Sequence, residues 1–166
     1  MRRTLILLLV SMTVALLLAS GVALAEIING DNRENLLRGT QRTDQIRGYG
    51  GQDRIVGEGG RDLILGGDGN DSCCQDGWDA SLYGNNGKDK IYGGEGGDYL
   101  DGGRNGDLLD GGPGADWFQG GPSDDTIKGG PGNDVMGNCS SGEDTVYWYG
   151  EKDRFFDSQH CEHIVR

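Results

Sequence analysis

A chain of 166 residues with 33 glycines and a formal net charge of −12 lacks the cationic surface that nucleic acid or an anionic membrane attracts. It is also a poor self-folder on composition: glycine loses about 0.5–1 kcal/mol more than alanine on entering regular structure, and such an acidic chain could be a disordered linker. The length suits one domain, so the spacing of residues has to decide whether it folds.

Residues 1–25 read as a secretory leader. Arg2 and Arg3 form a short basic start, an apolar stretch runs from Leu5 to Leu18, and Ala23-Leu24-Ala25 suits cleavage after Ala25. The alternative, an uncleaved membrane anchor, is disfavoured by the shortness of the apolar core. No cysteine lies near the cleavage point, so no lipid-modified N-terminus is expected. Cleavage would leave residues 26–166, secreted, extracellular, without a membrane span, and more acidic still.

From Gly30 to Gly137 the chain divides into twelve nonapeptides without an insertion, beginning at 30, 39, 48, 57, 66, 75, 84, 93, 102, 111, 120 and 129. The pattern is G-G-x-G-x-D-x-U-x, with U apolar. The eighth place reads Leu37, Ile46, Ile55, Ile64, Cys73, Leu82, Ile91, Leu100, Leu109, Phe118, Ile127 and Met136, all apolar. The sixth reads Asn35, Asp44, Asp53, Asp62, Asp71, Ala80, Asp89, Asp98, Asp107, Asp116, Asp125 and Asp134. Glycine-rich loops in an ordinary globule would not hold two such columns in phase. Each triplet around the eighth place predicts a short strand with one side chain inward. One inward residue cannot form a core, but stacked coils about 4.8 Å apart would align those residues into two facing apolar ladders.

These residues resemble the RTX, or hemolysin-type, calcium-binding nonapeptide repeat family, over 30–137. The repeats at Gly66, Gly93, Gly111 and Gly129 match the motif in full; the weakest are the first, with Asn35, and the one at Gln75, where Trp78 replaces the fourth-place glycine and Ala80 the aspartate. The resemblance implies an all-β fold over 26–137, a parallel β-roll solenoid with two nonapeptides, roughly 18 residues, to each coil. It also implies Ca²⁺ held between stacked loops.

The residues support the same expectation. With two nonapeptides per coil, loop n stacks over loop n+2, and the carboxylates form one row along each edge. Like charges one strand spacing apart repel unless cations lie between them, and calcium takes six to eight hard oxygen ligands. The expected metal residues are Asp44, Asp53, Asp62, Asp71, Asp89, Asp98, Asp107, Asp116, Asp125 and Asp134. Loop carbonyls near Gly66, Gly84, Gly93, Gly102, Gly111, Gly120 and Gly129 would complete the shells. One edge would carry Asp53, Asp71, Asp89, Asp107 and Asp125 unbroken. The other would run Asp44, Asp62, Ala80, Asp98, Asp116, Asp134, broken at Ala80. About six or seven ions are expected. Sodium is a weaker rival, as is magnesium, which resists losing its waters.

After Gly137, Asn138 breaks the phase, and restarting at Cys139 recovers it: Asp144, Asp153 and Glu162 fall at sixth places, and Val146, Phe155 and Ile164 at eighth places. Residues 138–166 therefore read as degenerate repeats and a C-terminal cap, with aromatics at Tyr147, Trp148, Tyr149, Phe155 and Phe156 closing the open end of the solenoid. In this frame Cys139 and Cys161 lie in neighbouring loops, and a disulfide between them is expected in a secreted chain. Cys73 reads as a buried thiol and Cys74 as outward; a bond between them ranks lower.

No nucleophile, base and oxyanion arrangement is visible, so the chain reads as a non-enzyme. His160 and His163 flank Cys161 and read as residues of an exposed loop. Family members often carry a toxin or hydrolase domain before the roll; the early leader here favours a stand-alone calcium-binding structural, surface or adhesion module. The alternative is an accessory protein that binds or activates a secreted enzyme. Ice binding is disfavoured, because the seventh places carry no rank of threonines. Outward Tyr83, Tyr92, Tyr99 and Trp117 suggest a face for cell-surface polysaccharide or a secreted protein.

Overall fold

The computed structural model describes residues 25–71, 81–148, 152–155, 161 and 163–165. The expectations for the leader, Cys73, Cys74, Trp78, Ala80, Tyr149, Phe156, His160 and Glu162 lie outside the described residues. Among the described residues fifteen strands follow one another: β1 (Ile27–Asn29), β2 (Leu36–Arg38), β3 (Gln45–Gly50), β4 (Arg54–Gly60), β5 (Leu63–Asp68), β6 (Ser81–Gly87), β7 (Lys90–Glu95), β8 (Tyr99–Arg104), β9 (Leu108–Asp110), β10 (Trp117–Gln119), β11 (Thr126–Lys128), β12 (Val135–Asn138), β13 (Thr145–Tyr147), β14 (Arg154–Phe155) and β15 (His163–Val165). Every pairing is parallel and skips one strand. The odd strands form an eight-stranded sheet, and the even strands a seven-stranded one. The fold is the expected parallel β-roll.

Alternation along each short strand explains the core. The middle residue of each triplet points inward, giving Ile46, Ile64, Ile91, Leu109, Ile127 and Val146 on one sheet and Ile55, Leu82, Leu100, Phe118 and Met136 on the other, all fully buried. Each such side chain contributes about 1.5–3 kcal/mol by leaving water. Ile28, Leu37 and Phe155 extend the ladders half-buried.

Successive rungs stack two nonapeptides apart, as in Ile46↔Ile64 and Leu82↔Leu100, an offset of 18 that the Asp44–Asp62 loop contact shares. The larger of two departures lies in the middle of the roll. Between β4 and β6, and between β5 and β7, Ile55 lies on Leu82 and Ile64 on Ile91, and the adjoining Asp62–Asp89 contact has an offset of 27. Both ladders pass over one nonapeptide's length of chain, 72–80. This corrects the expected order of the loops. The stretch passed over joins the eighth-place Cys73 of the repeat at Gly66 to the loop of the repeat at Gln75, where Gln75, Trp78 and Ala80 depart from the motif; the strand of that second repeat, with Leu82, keeps its rung.

The insertion of Asn138 is absorbed as a bulge opposite β10, where Phe118 pairs with Met136 but Gln119 with Asn138. Beyond it the roll continues, with Val146 between Ile127 and Ile164. Trp148, 5 % exposed, stands edge-on to Phe155 at 5.0 Å and to Phe118 at 6.3 Å between ring centroids. A disulfide joins Cys139 to Cys161, with 5.5 Å between their Cα atoms. Among the described residues no helix is long and apolar enough to cross a membrane.

Deleting residues 72–80 would join Asp71 to Ser81 and reproduce the Asp53–Arg54 link. The deleted chain is expected to keep its β-sheet circular dichroism in calcium, with its melting temperature within about 4 °C of the parent; collapse of the signal would contradict the bypass. Replacing Cys139 and Cys161 by serine should cost about 2–4 kcal/mol in denaturant titrations run in calcium.

Candidate metal centre

The loops between strands carry the aspartates, and a repeated hydrogen bond sets their orientation. The Oδ1 of each accepts the backbone N–H of the aspartate one rung earlier. On one edge the series runs Asn35, Asp53, Asp71, Asp98, Asp116, Asp134, Asp153, with N···O distances of 2.9, 2.7, 2.8, 2.9, 3.1 and 3.0 Å. On the other it runs Asp44, Asp62, Asp89, Asp107, Asp125, Asp144, at 2.8, 2.7, 2.8, 2.8 and 2.8 Å. The register change thus re-pairs the rows. Asp71 meets Asp98 instead of Asp89, Asp62 meets Asp89, and among the described residues neither row is interrupted. Asp62 is followed in its row by Asp89, not by the position of Ala80, so among the described residues the break expected there does not open.

The second carboxylate oxygen has a different environment. Oδ2 of Asp53, Asp62, Asp89, Asp98, Asp107, Asp116, Asp125, Asp134 and Asp144 is buried without a hydrogen-bond partner. Leaving a buried charged acceptor unpaired is costly. Asp44 differs, since its Oδ2 accepts from the N–H of Thr40 at 2.6 Å and from its hydroxyl at 2.9 Å.

These oxygens face glycine. A Cβ added at Gly66 would stand 2.5 Å from the carbonyl oxygen of Gly93 and would also strike Oδ2 of Asp71. The same space recurs at Gly48, Gly57, Gly84, Gly93 and Gly102. There the carbonyl oxygens of Gly66, Gly84, Gly102, Gly111 and Gly120 converge with an aspartate Oδ2. Glycine is required at these first places because stacked backbone and carboxylate occupy the volume a side chain would take. At the next place the reason is conformational: Gly94 has φ +121°, a left-handed geometry that glycine adopts without strain.

The donor set consists of hard oxygens only, aspartate Oδ2 atoms and glycine carbonyls, which suits calcium rather than a softer metal. No group of three or more His, Cys, Asp or Glu side chains converges among the described residues. Side chains alone would therefore not complete a shell, and the main chain has to contribute. The residues fit a calcium ion on this test: unpartnered buried oxygens opposite carbonyls that glycine leaves accessible.

Burial raises the carboxyl pKa values, and neighbouring aspartates of the same row raise several further. The N–H bond at Oδ1 opposes both effects. Asp116 and Asp125 reach about 8, Asp62, Asp71 and Asp107 about 7, and Asp53, Asp98 and Asp134 about 6.

Asp144, with its orphaned Oδ2, extends the row beyond the residues expected to bind metal; the phase restart at Cys139 was the signal for it. Of the outward aromatics, Tyr83, Tyr99 and Trp117 share the even sheet, on β6, β8 and β10, whereas Tyr92 lies on β7 of the other sheet. They do not form one face of four, because strands consecutive in sequence alternate between sheets.

A family model described as the RTX calcium-binding nonapeptide repeat (4 copies) matches residues 38–73, 79–109 and 110–136, more than half of the chain. The match lapses over 74–78, inside the nonapeptide that both ladders pass over. No curated protein matches the chain.

Without calcium, carboxyls with raised folded-state pKa values favour the ordered roll below their unfolded value of about 3.8, and that contribution is lost as pH rises through 6 to 8. In chelator, ordered β-structure is expected to be greatest near pH 4 and to decline up to pH 8, followed by circular dichroism. A signal that rises with pH would contradict this assignment.

Proposed function

Because the chain belongs to the RTX calcium-binding nonapeptide repeat family, we propose that it is a secreted structural module whose folding is driven by calcium bridging its stacked loops. The observation that carries this reading is the two rows of buried aspartates whose Oδ2 atoms have no partner. We assign the bridging oxygens to Asp53, Asp71, Asp98, Asp116 and Asp134 on one edge and to Asp62, Asp89, Asp107, Asp125 and Asp144 on the other. Each row has four gaps, which raises the expected number of ions to about eight.

Bound calcium supplies positive charge between carboxylates that would otherwise repel. The chain's own residues do the rest. The Asp–amide ladder holds each carboxylate in place, the first-place glycines leave room for the carbonyls, and the apolar ladders fix the rung spacing. Calcium is scarce in cytoplasm and abundant outside cells, so a leader at 1–25 and calcium-driven folding act together: the chain crosses the membrane unfolded and orders on arrival.

The role is structural or adhesive rather than catalytic, with a cell-surface polysaccharide as the partner class. Outward side chains of the kind that contact glycans support this. On the even sheet the Arg54 guanidinium lies 5.6 Å from the Tyr83 ring centroid. Tyr83 and Tyr99 are 6.2 Å apart, and the Tyr99 hydroxyl donates to Gln119 Oε1 at 3.1 Å.

Calorimetric titration of residues 26–166 with calcium should give about eight ions, with affinities on the order of 10⁻⁴–10⁻³ M and a parallel gain of β-structure. Asp116→Ala, which removes an oxygen from two gaps, should lower the stoichiometry by one or two. Circular dichroism at neutral pH that is indifferent to chelator would refute the proposal.

A further inference from the structure

The odd sheet carries a feature that the acidic composition conceals. A surface cavity of about 490 Å³ is lined by Arg61, Lys88 and Lys90 together with Leu63, Tyr92 and Asp62. The three cations are exposed, while Leu63 and Tyr92 are half-buried. Among the described residues, none of the three makes an ion pair.

The register change brings these cations together. Arg61 and Lys88 each precede an aspartate of the same row, Asp62 and Asp89, which stack at an offset of 27. In an uninterrupted register of two nonapeptides per coil the fifth-place residue following Arg61 would be Asp79, an opposite charge. The same change sets Leu63 against Lys90 and Leu65 against Tyr92. The bypass therefore places positive charge beside positive charge and an aromatic ring beside aliphatic surface, on a chain whose net charge is −12.

We infer that this cavity binds the carboxylates of an acidic polysaccharide. The inference rests on the calcium-ordered roll proposed above and specifies its glycan partner. Three cations on such an acidic chain are complementary to an anion and to little else. The outer face of an interior strand has its backbone already paired, so a peptide could not add here as a further strand. Recognition has to come from side chains. The cations take carboxylates, and the Tyr92 ring with Leu63 offers an apolar surface to the face of a sugar. The acidic groups nearby include Asp62, Asp89 and Asp107 of the calcium row, the last of them felt by the Lys88 charge, and Asp110, 3.9 Å from the Lys128 ammonium. Calcium in the row would neutralise Asp62 and Asp89, so glycan binding should strengthen with calcium, and calcium binding with glycan.

The test uses the chain in saturating calcium with a hyaluronan decasaccharide, whose glucuronates are the anions, and circular dichroism recorded on the same samples. Binding is expected to weaken with salt. It should fall about tenfold in the Arg61→Gln/Lys90→Gln double variant and about threefold in Tyr92→Leu, with the roll equally ordered in all three. Neutral cellohexaose should not bind, and hexaglutamate should bind more weakly than the glycan. An ordered roll that ignores hyaluronan, binds hexaglutamate as well, or is indifferent to the double substitution overturns the site alone. A chain that stays disordered in calcium overturns the calcium-driven roll and this site with it.

Discussion

Most of the described rungs of this protein depend on a carboxylate with two different oxygens. Oδ1 of each row aspartate accepts the amide N–H of the aspartate beneath it, and Oδ2 is left buried and unpartnered in most of the series. The hydrogen bond aligns the loops, and the same alignment stacks negative charges that repel. A solenoid built this way carries its own destabilisation, which is relieved by a proton or by a cation in the gap. The apolar ladders add one side chain per strand and cannot offset a full column of ionised carboxylates unaided.

The glycines follow from the same constraint. At Gly48, Gly66 or Gly93 the space a Cβ would fill is taken by the carboxylate of its own loop and the carbonyl of the next. Close approach, more than turn geometry, demands glycine there. The second place is more tolerant: Tyr49, Glu58 and Asn85 occupy it with φ of +81°, +80° and +73°. Those repeats depart from the motif yet keep their rungs, because left-handed backbone costs a side chain only about 1–2 kcal/mol, whereas overlap with backbone cannot be relieved. The C-terminal rungs, poor in glycine, are held by other means: Trp148 packed against Phe118 and Phe155, and the Cys139–Cys161 disulfide.

Taken alone, the sequence was sufficient for the period, the inward column, the acidic column and the disulfide pair, because each is a local repeat or follows from counting half-turns. Asn138 and the phase restart were equally visible. The stacking partners were not. Period and composition are unchanged whether nonapeptide 72–80 takes a rung or is passed over, so counting placed Asp71 under Asp89 and a break at Ala80. Tertiary pairing chose otherwise, since stacking Asp62 on Asp89 and Asp71 on Asp98 leaves no aspartate missing between Asp44 and Asp144 or between Asp53 and Asp153 among the described residues. The division of labour between Oδ1 and Oδ2 and the meeting of Arg61 with Lys88 were decided at the same level. Both depend on which loops lie on one another, a contact between distant residues that no local pattern encodes.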